Sequence, residues 1–438
     1  MQADKTTIND LSIFHHEEEQ SVFHHINFTT STGGKEWMRY LLSHPLNDLN
    51  KIKQTQQLLQ LIIKHADNWP TIITNGTVMV VERFYDTGIE DIPQHPNVVN
   101  ATLYKLFNAH DYSLVKYSVN HFIDFCIGLG QLIRLFEQDE QPTILAHLLD
   151  QVRHLTNKPV IQTMMQWDKK DQPTHAQMLT FGRFLRRFFK AEALELVDIY
   201  SRLDAYYGMA MACKKFNFTF PQIEKSAAPY IEATNLYHLL LHEPVSYNVE
   251  LNQQTNFLFL TGANMAGKST FIKAVGVSVY MAHIGMGVPA DSFQVSYFDG
   301  LLSNIQVEDN ITRGESYFFN EVQRIKKTIT KINDGRHWLI LIDELFKGTN
   351  VQDAMKCSTA VIEGLRKMKN TLFILSTHLY EIGEGLKQYP NIKFNYFETH
   401  VKEGQLEFSY QLQQGISNDR LGYLILQREG VVDMLERL

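Results

Sequence analysis

From about residue 10 to 235, apolar side chains recur at three- and four-residue spacing with only scattered glycine and proline, a period that predicts helices. Leu58, Leu59, Ile62 and Ile63 carry it, as do Leu132, Leu135 and the stretch from Ile144 to Leu149. Turn formers cluster at Pro70, around Pro93 and Pro96, at Gln141-Pro142 and from Asp171 to Pro173, which are the expected helix breaks. Beyond about residue 240 the texture changes to short apolar runs divided by glycine-containing turns and helical stretches. Phe257 to Thr261, Trp338 to Ile342 and Leu372 to Ser376 each have the length of a buried strand. Their alternation with helices predicts a largely parallel sheet covered on its faces. Ile392 to Val401 and Leu406 to Leu412 flank Glu403-Gly404 and read as a hairpin, and a closing helix is expected from about Asp419. The expected fold class is multidomain α plus α/β: a helical region over residues 1–235 and an α/β domain over residues 236–438.

Composition narrows this picture. A chain of 438 residues exceeds what one core usually holds, which supports more than one domain. Its three cysteines, Cys126, Cys213 and Cys357, are far apart and odd in number, which argues against a disulfide framework and for a reducing compartment. Asp4, Lys5 and Asp10 interrupt the place where a signal peptide needs an apolar run, and no run long enough to span a bilayer occurs. A cytoplasmic protein with no membrane partner is expected. The net charge of -7 excludes a molecule that binds nucleic acid over its whole surface, so any such contact must be local.

Two motifs carry chemistry. Gly262-Ala263-Asn264-Met265-Ala266-Gly267-Lys268-Ser269 fits the phosphate-loop pattern, between an expected strand and an expected helix. Glycines let successive backbone N–H groups turn toward phosphate oxygens, and the helix start adds its own free N–H groups. Lys268 is expected to reach the β- and γ-phosphates, and Ser269 offers a hydroxyl suited to magnesium. Downstream, Leu339-Ile340-Leu341-Ile342-Asp343-Glu344 is an apolar strand ending in two carboxylates, which a buried strand tolerates only where its end opens onto a site or solvent. Asp343 is the expected magnesium partner, through water, and Glu344 the residue that polarises the attacking water. ATP and Mg2+ are the cofactors this pair implies.

Two further stretches stay open between a functional and a structural reading. His378, in Ser376-Thr377-His378 at the end of a third strand, is placed to contact a γ-phosphate or the attacking water, although the chain has 18 histidines. Arg183-Phe184-Leu185-Arg186-Arg187-Phe188-Phe189-Lys190 interleaves bases and aromatics, which suits phosphate contact or, more simply, an amphipathic helix with a buried aromatic stripe. Val245 and Tyr247, just before the first strand, are candidates for packing on a nucleobase or for the core.

Around these motifs the sequence resembles the MutS mismatch-repair ATPases, whose phosphate loop usually reads G-P-N-M-G-G-K-S-T. Here Gly262 to Thr270 departs from it at Ala263 and Ala266. Asp343-Glu344-Leu345-Phe346-Lys347-Gly348-Thr349, followed by Asp353, resembles the family's D-E-x-x-x-G-T, and Thr377-His378 its T-H pair. Asp309 to Glu321 is similar to the stretch ending G-R-S-T-F-M-x-E. By that resemblance Ser316 would reach the γ-phosphate of a partner subunit, with Glu315 standing where the family usually has arginine. Weaker similarity covers Leu11-Ser12-Ile13-Phe14, Ser21-Val22-Phe23 and Thr32-Gly33-Gly34 to Pro45-Leu46, and near the other end Gly415-Ile416-Ser417 and Leu421-Gly422-Tyr423. The family's mismatch wedge uses an F-x-E motif, and the single one here, Phe319-Asn320-Glu321, falls inside the signature stretch. A form without the mismatch-reading domain and without the usual helical tail is expected.

The resemblance implies a helical lever and core region followed by a P-loop NTPase domain of the ABC-like kind, in a homodimer or a pair with a paralogue. The leading functional expectation is an ATP-dependent, MutS-type DNA-binding protein whose DNA contacts are mainly to the backbone, serving mismatch repair or related maintenance. The alternative is an ATP-driven switch acting on a protein partner without gripping DNA. A chromosome-maintenance or transporter ATPase fits less well, since no L-S-G-G-Q-like signature is present.

Overall fold

The computed structural model describes residues 1–305, 317–402, 405–417 and 431–436. The chain divides into two compact units: Met1–His25, His44–Ile52 and Phe216–Leu438 form one, and Ile26–Ser43 with Lys53–Lys215 the other. Among the described residues no helix is long and apolar enough to cross a membrane.

The second unit is helical. Its longest elements are Ala109–Leu135 and Lys190–Lys215; the first packs on Asn75–Arg83, Pro159–Met165 and His175–Phe188, the second on Thr32–Ser43. Chain breaks fall at the expected turn formers, and the helices that follow start on local caps. Thr174 and Gln177 form a capping box at His175–Phe188, and Asn97 with Asn100 another at Val98–Phe107. A buried carboxylate ties the unit together. Asp204 accepts bonds from the N–H groups of Thr30 (2.9 Å) and Ser31 (2.8 Å) and from both hydroxyls, so its charge is fully matched by donors.

The first unit holds the strands: β1 (Gln2–Ala3), β2 (Gln222–Glu224), β3 (Ile231–Leu236), β4 (Tyr247–Leu251), β5 (Phe257–Thr261), β6 (Ser292–Ser296), β7 (Gly300–Asn304), β8 (Trp338–Asp343), β9 (Thr371–Ser376), β10 (Ile392–Lys402) and β11 (Gln405–Gln414). A seven-stranded sheet runs in the order β1-β7-β8-β9-β5-β10-β11, parallel throughout except for the β10–β11 pair. Its central strands are buried on both faces, which is why they read as unbroken apolar runs. Alternate residues serve opposite faces. Phe257, Phe259, Trp338, Ile340, Phe373 and Leu375 share one core with Ile325, Ile332, Ile362 and Leu386. On the other face the Lys268–His283 helix packs on β8, close enough that a Cβ at Gly276 would lie 2.5 Å from the Leu341 side chain.

Three features differ from the sequence expectation. A second sheet, β2-β6-β3-β4, is present; its strands are short and carry polar residues on their open face, so they lack the buried-run signal. The chain enters the sheet-bearing unit at Phe216 rather than after residue 235. Residues 1–25 also belong to that unit: β1 pairs with β7, and the buried Asp10 carboxylate accepts the Ser303 hydroxyl (2.5 Å) and the Ile305 N–H (2.9 Å). The Glu403-Gly404 turn, Leu421-Gly422-Tyr423 and Asp419, from which a closing helix is expected, lie outside the described residues; a helix is described over Val431–Glu436.

Candidate active site

Register brings three strand ends level at the carboxyl edge of the large sheet. Leu260 of β5 lies opposite Ser376 of β9, which lies opposite Asp343 of β8. Open α/β sheets hold ligands at this edge. A cavity of about 460 Å³ sits there, between the turn that follows β5 and the tip of β8.

The turn after β5 curls through left-handed backbone at Gly262 (φ 136°), Met265 (φ 67°) and Gly267 (φ 110°). Glycine adopts such angles without penalty, and at Gly262 a side chain would also meet the Phe397 backbone at 3.1 Å. Ala263 and Ala266 are buried, whereas Met265 is 71% exposed at the tip. The Lys268–His283 helix starts on Gly267 with no side-chain cap, so its dipole and first N–H groups face the cavity. Lys268 is buried, and its ammonium donates to the carbonyls of Gly262 and Ala263, each at 2.8 Å. Burial pulls its pKa down to about 8, and the nearby charges of Glu344 and Asp343 oppose that fall.

Asp343 joins the two halves of the site. Its carboxylate accepts the Ser269 hydroxyl at 2.5 Å on one oxygen and the Ser376 hydroxyl on the other. Glu344 follows with φ 68°, its N–H donating to Ser376 O at 2.9 Å. One Glu344 oxygen lies 2.5 Å from His378 Nε2 and the other 3.3 Å from Lys347 Nζ. Burial works against the Glu344 charge, but the His378 hydrogen bond and the two neighbouring bases outweigh it and hold the carboxyl down at about 2.

The structure therefore brings Gly262 to Thr270, Asp343, Glu344 and His378 to one edge. Ser316 and the segment Asp309 to Ser316 lie outside the described residues. Tyr247 and Val245 both line the cavity, yet Tyr247 is buried edge-on against Phe271 (5.3 Å) and Phe397 (5.7 Å), so it belongs to the core as much as to the site. Sequence reasoning missed Leu241 and Tyr410, two half-exposed apolar side chains on the cavity wall. It also missed Ser376 as the second partner of Asp343, although the Ser-Thr-His run was in view. Nothing in the local pattern marks Leu241 or Tyr410, because both reach the site from strands and loops distant in sequence.

The donors suit magnesium: a hydroxyl and a carboxylate, both hard oxygens, stand together beside a loop shaped for phosphate. Among the described residues there is no group of three or more His, Cys, Asp or Glu that could hold a metal, so an ion here would depend on Ser269, Asp343 and the nucleotide itself.

The basic stretch from Arg183 to Lys190 makes internal contacts. Arg186 donates to the carbonyls of Phe84 (2.8 Å) and Thr87 (2.5 Å), Arg187 pairs with Asp91, Arg183 reaches Ile92 O at 3.3 Å, and Lys190 lies over the Tyr85 ring. Phe181, Leu185 and Phe189 are buried beneath. The amphipathic-helix reading accounts for all of these contacts.

Comparison with known proteins adds a family. A family model described as MutS domain V matches residues 258–434. The chain is 28% identical over 231 residues to a DNA mismatch repair protein MutS of Pseudothermotoga lettingae, covering 52% of this chain and 28% of that protein. It is 31% identical over 239 residues to MutS protein homolog 4 of Homo sapiens, covering 52% of this chain and 25% of that one. The chain thus aligns with about a quarter of the length of these relatives.

Proposed function

We propose that this chain, whose residues 258–434 match the MutS domain V family model, hydrolyses ATP with the site described above, coupling hydrolysis to the geometry of a dimer that engages DNA. The observation that carries the reading is the 2.5 Å bond from Ser269 to Asp343, which sets the phosphate loop and the carboxylate strand tip side by side.

Lys268 leaves its own loop carbonyls to pair with the β- and γ-phosphates, which restores a counter-charge to a buried ammonium. Backbone N–H groups of Ala263 to Lys268 cradle the same phosphates. Ser269 and Asp343 would hold magnesium, which would supply Lewis-acid polarisation of the phosphate oxygens. Glu344 orients the attacking water. Its carboxylate remains ionised at neutral pH, so it acts mainly by accepting a hydrogen bond from that water as charge develops. His378 holds Glu344 in the resting state and faces the terminal phosphate in the loaded one. Ser316 of the partner subunit completes the site. The apolar wall of Leu241, Val245 and Tyr410 suits a nucleobase.

The helical unit serves as lever and core, and DNA is held through phosphates, weakly dependent on sequence and sensitive to salt. On this reading the protein acts in the cytoplasm. A second reading, a switch acting on a protein partner, is favoured by the net charge of -7 and by the internal pairing of Arg183, Arg186 and Arg187. ATPase activity measured against protein concentration, with and without duplex, junction and single-stranded DNA, tests all of this together. Turnover per chain that rises with concentration and responds to DNA is expected. Turnover indifferent to every DNA at low salt selects the second reading, and no turnover at any concentration removes both.

A further inference from the structure

One buried charge beside the site takes no part in the chemistry set out above. Glu321, on the Tyr317–Ile332 helix, is 2% exposed, and its carboxylate accepts the N–H groups of Lys347 (3.3 Å) and Gly348 (3.4 Å), with the Phe346 N–H also bonded to it. These three amides are consecutive and belong to the turn that leaves β8 just after Glu344. They converge because Phe346 has φ 60°, and a left-handed residue within a turn folds successive N–H groups into a concave, anion-binding nest. A phenylalanine does not adopt this angle by preference. Two things hold it there: its ring, buried and 5.6 Å from the Phe318 ring on the same helix as Glu321, and the acid in the nest.

We propose that Glu321 is the built-in anion of this nest and thereby a positioning residue for Glu344, an inference that rests on the ATPase reading above. The route is short. Glu321 holds the Lys347 backbone, and Lys347 Nζ pairs with Glu344 3.3 Å away. Glu344 itself stands at φ 68°, two residues before Phe346, so a turn that relaxes toward ordinary backbone angles carries the Glu344 carboxylate away from the loop. The phosphate loop makes none of these contacts, so nucleotide binding is left alone. Burial raises the Glu321 pKa, and the three amide bonds and the Lys347 charge oppose that rise.

The test compares E321A and E321Q with the wild-type full chain, measuring single-turnover hydrolysis, the affinity for a non-hydrolysable ATP analogue, and the melting temperature. For E321A the hydrolysis rate is expected to fall about 10- to 100-fold with analogue affinity unchanged, the cost of misplacing a catalytic group through a remote change. E321Q is expected to recover part of the rate, because its amide oxygen still accepts two N–H groups while its NH2 faces the third. Should E321A fail to fold, E321Q alone carries the test, with a several-fold slower rate at unchanged affinity. A folded E321A with wild-type rate overturns the proposal, as does parallel loss of rate, affinity and melting temperature in both variants. Wild-type chain that binds the analogue yet never hydrolyses ATP overturns the ATPase reading and this inference with it, whereas an active wild type with an unimpaired E321A overturns this inference alone.

Discussion

The turn that leaves β5 and the turn that leaves β8 face the same cavity and reach their shapes by opposite means. The first bends at Gly262 and Gly267, where left-handed angles come at no steric cost, and at the exposed Met265 (φ 67°) between them. The second bends at Glu344 and Phe346, both of which carry a Cβ and adopt left-handed angles only because their surroundings insist. Leu345 and Phe346 are pressed into the core, Glu344 is tied to His378 and Lys347, and Glu321 fills the amide nest. One turn owes its form mainly to its two glycines and the other to its neighbours. The passive turn has to bind, and the held turn has to aim a carboxylate.

Four measurements break or sharpen that contrast, and the largest effect belongs to the held turn. Glu344→Gln keeps the shape but removes the charge, so ATP is expected to stay bound while hydrolysis falls about 10²- to 10⁴-fold. Normal turnover in that variant would remove Glu344 from its role. In the passive turn, Lys268→Ala is expected to weaken ATP binding by about 1.5–3 kcal/mol, the worth of a charged hydrogen bond, read by calorimetric titration. Gly267→Ala places a Cβ at φ 110° and 3.4 Å from the Tyr410 ring, so strain of about 1–3 kcal/mol is expected as a lowered melting temperature and weaker binding. If Gly267→Ala is neutral, the loop does not depend on glycine as argued. The smallest effect is a pH dependence. Because burial depresses the Lys268 pKa to about 8, its ammonium is present below that pH and is lost as pH rises through it. ATP affinity should therefore decline between about pH 7 and 9 in the wild type and stay flat in Lys268→Ala. Glu344, held near 2, contributes no titration in that range.

The same contrast explains what could be read in advance. The phosphate loop was legible because its geometry is written in residue type: glycine where the backbone must invert, lysine and serine where phosphate and metal require them. Strands β5, β8 and β9 were legible because burial on both faces leaves an apolar run, as in Leu339 to Ile342. Asp343 and Glu344 stood out as charges at the end of such a run. By contrast, Tyr410 and Leu241 reach the cavity from elsewhere in the chain, and Glu321, although it closes the stretch similar to the family signature, meets backbone amides that side-chain pattern does not mark. The β2-β6-β3-β4 sheet was hidden by its short strands and polar open face. The expected division between residues 235 and 236 followed the change in hydrophobic period, whereas packing joins residues 1–25 to the large sheet by strand pairing at Gln2 and Ala3 and by the Asp10 carboxylate.

That pairing of the earliest residues with β7 sets a limit on dissection. A fragment excised at residue 236 would sever β3, discard β2 and strip the β1 strand from one border of the seven-stranded sheet, leaving the amides of β7 open to any other chain that presents a strand. It should clump rather than stand alone. Since Thr7 and Ser303 must meet across nearly 300 positions, hydrogen bonding through the Thr7 hydroxyl at 3.0 Å, the intact molecule can finish this sheet only after most of its length has been synthesised.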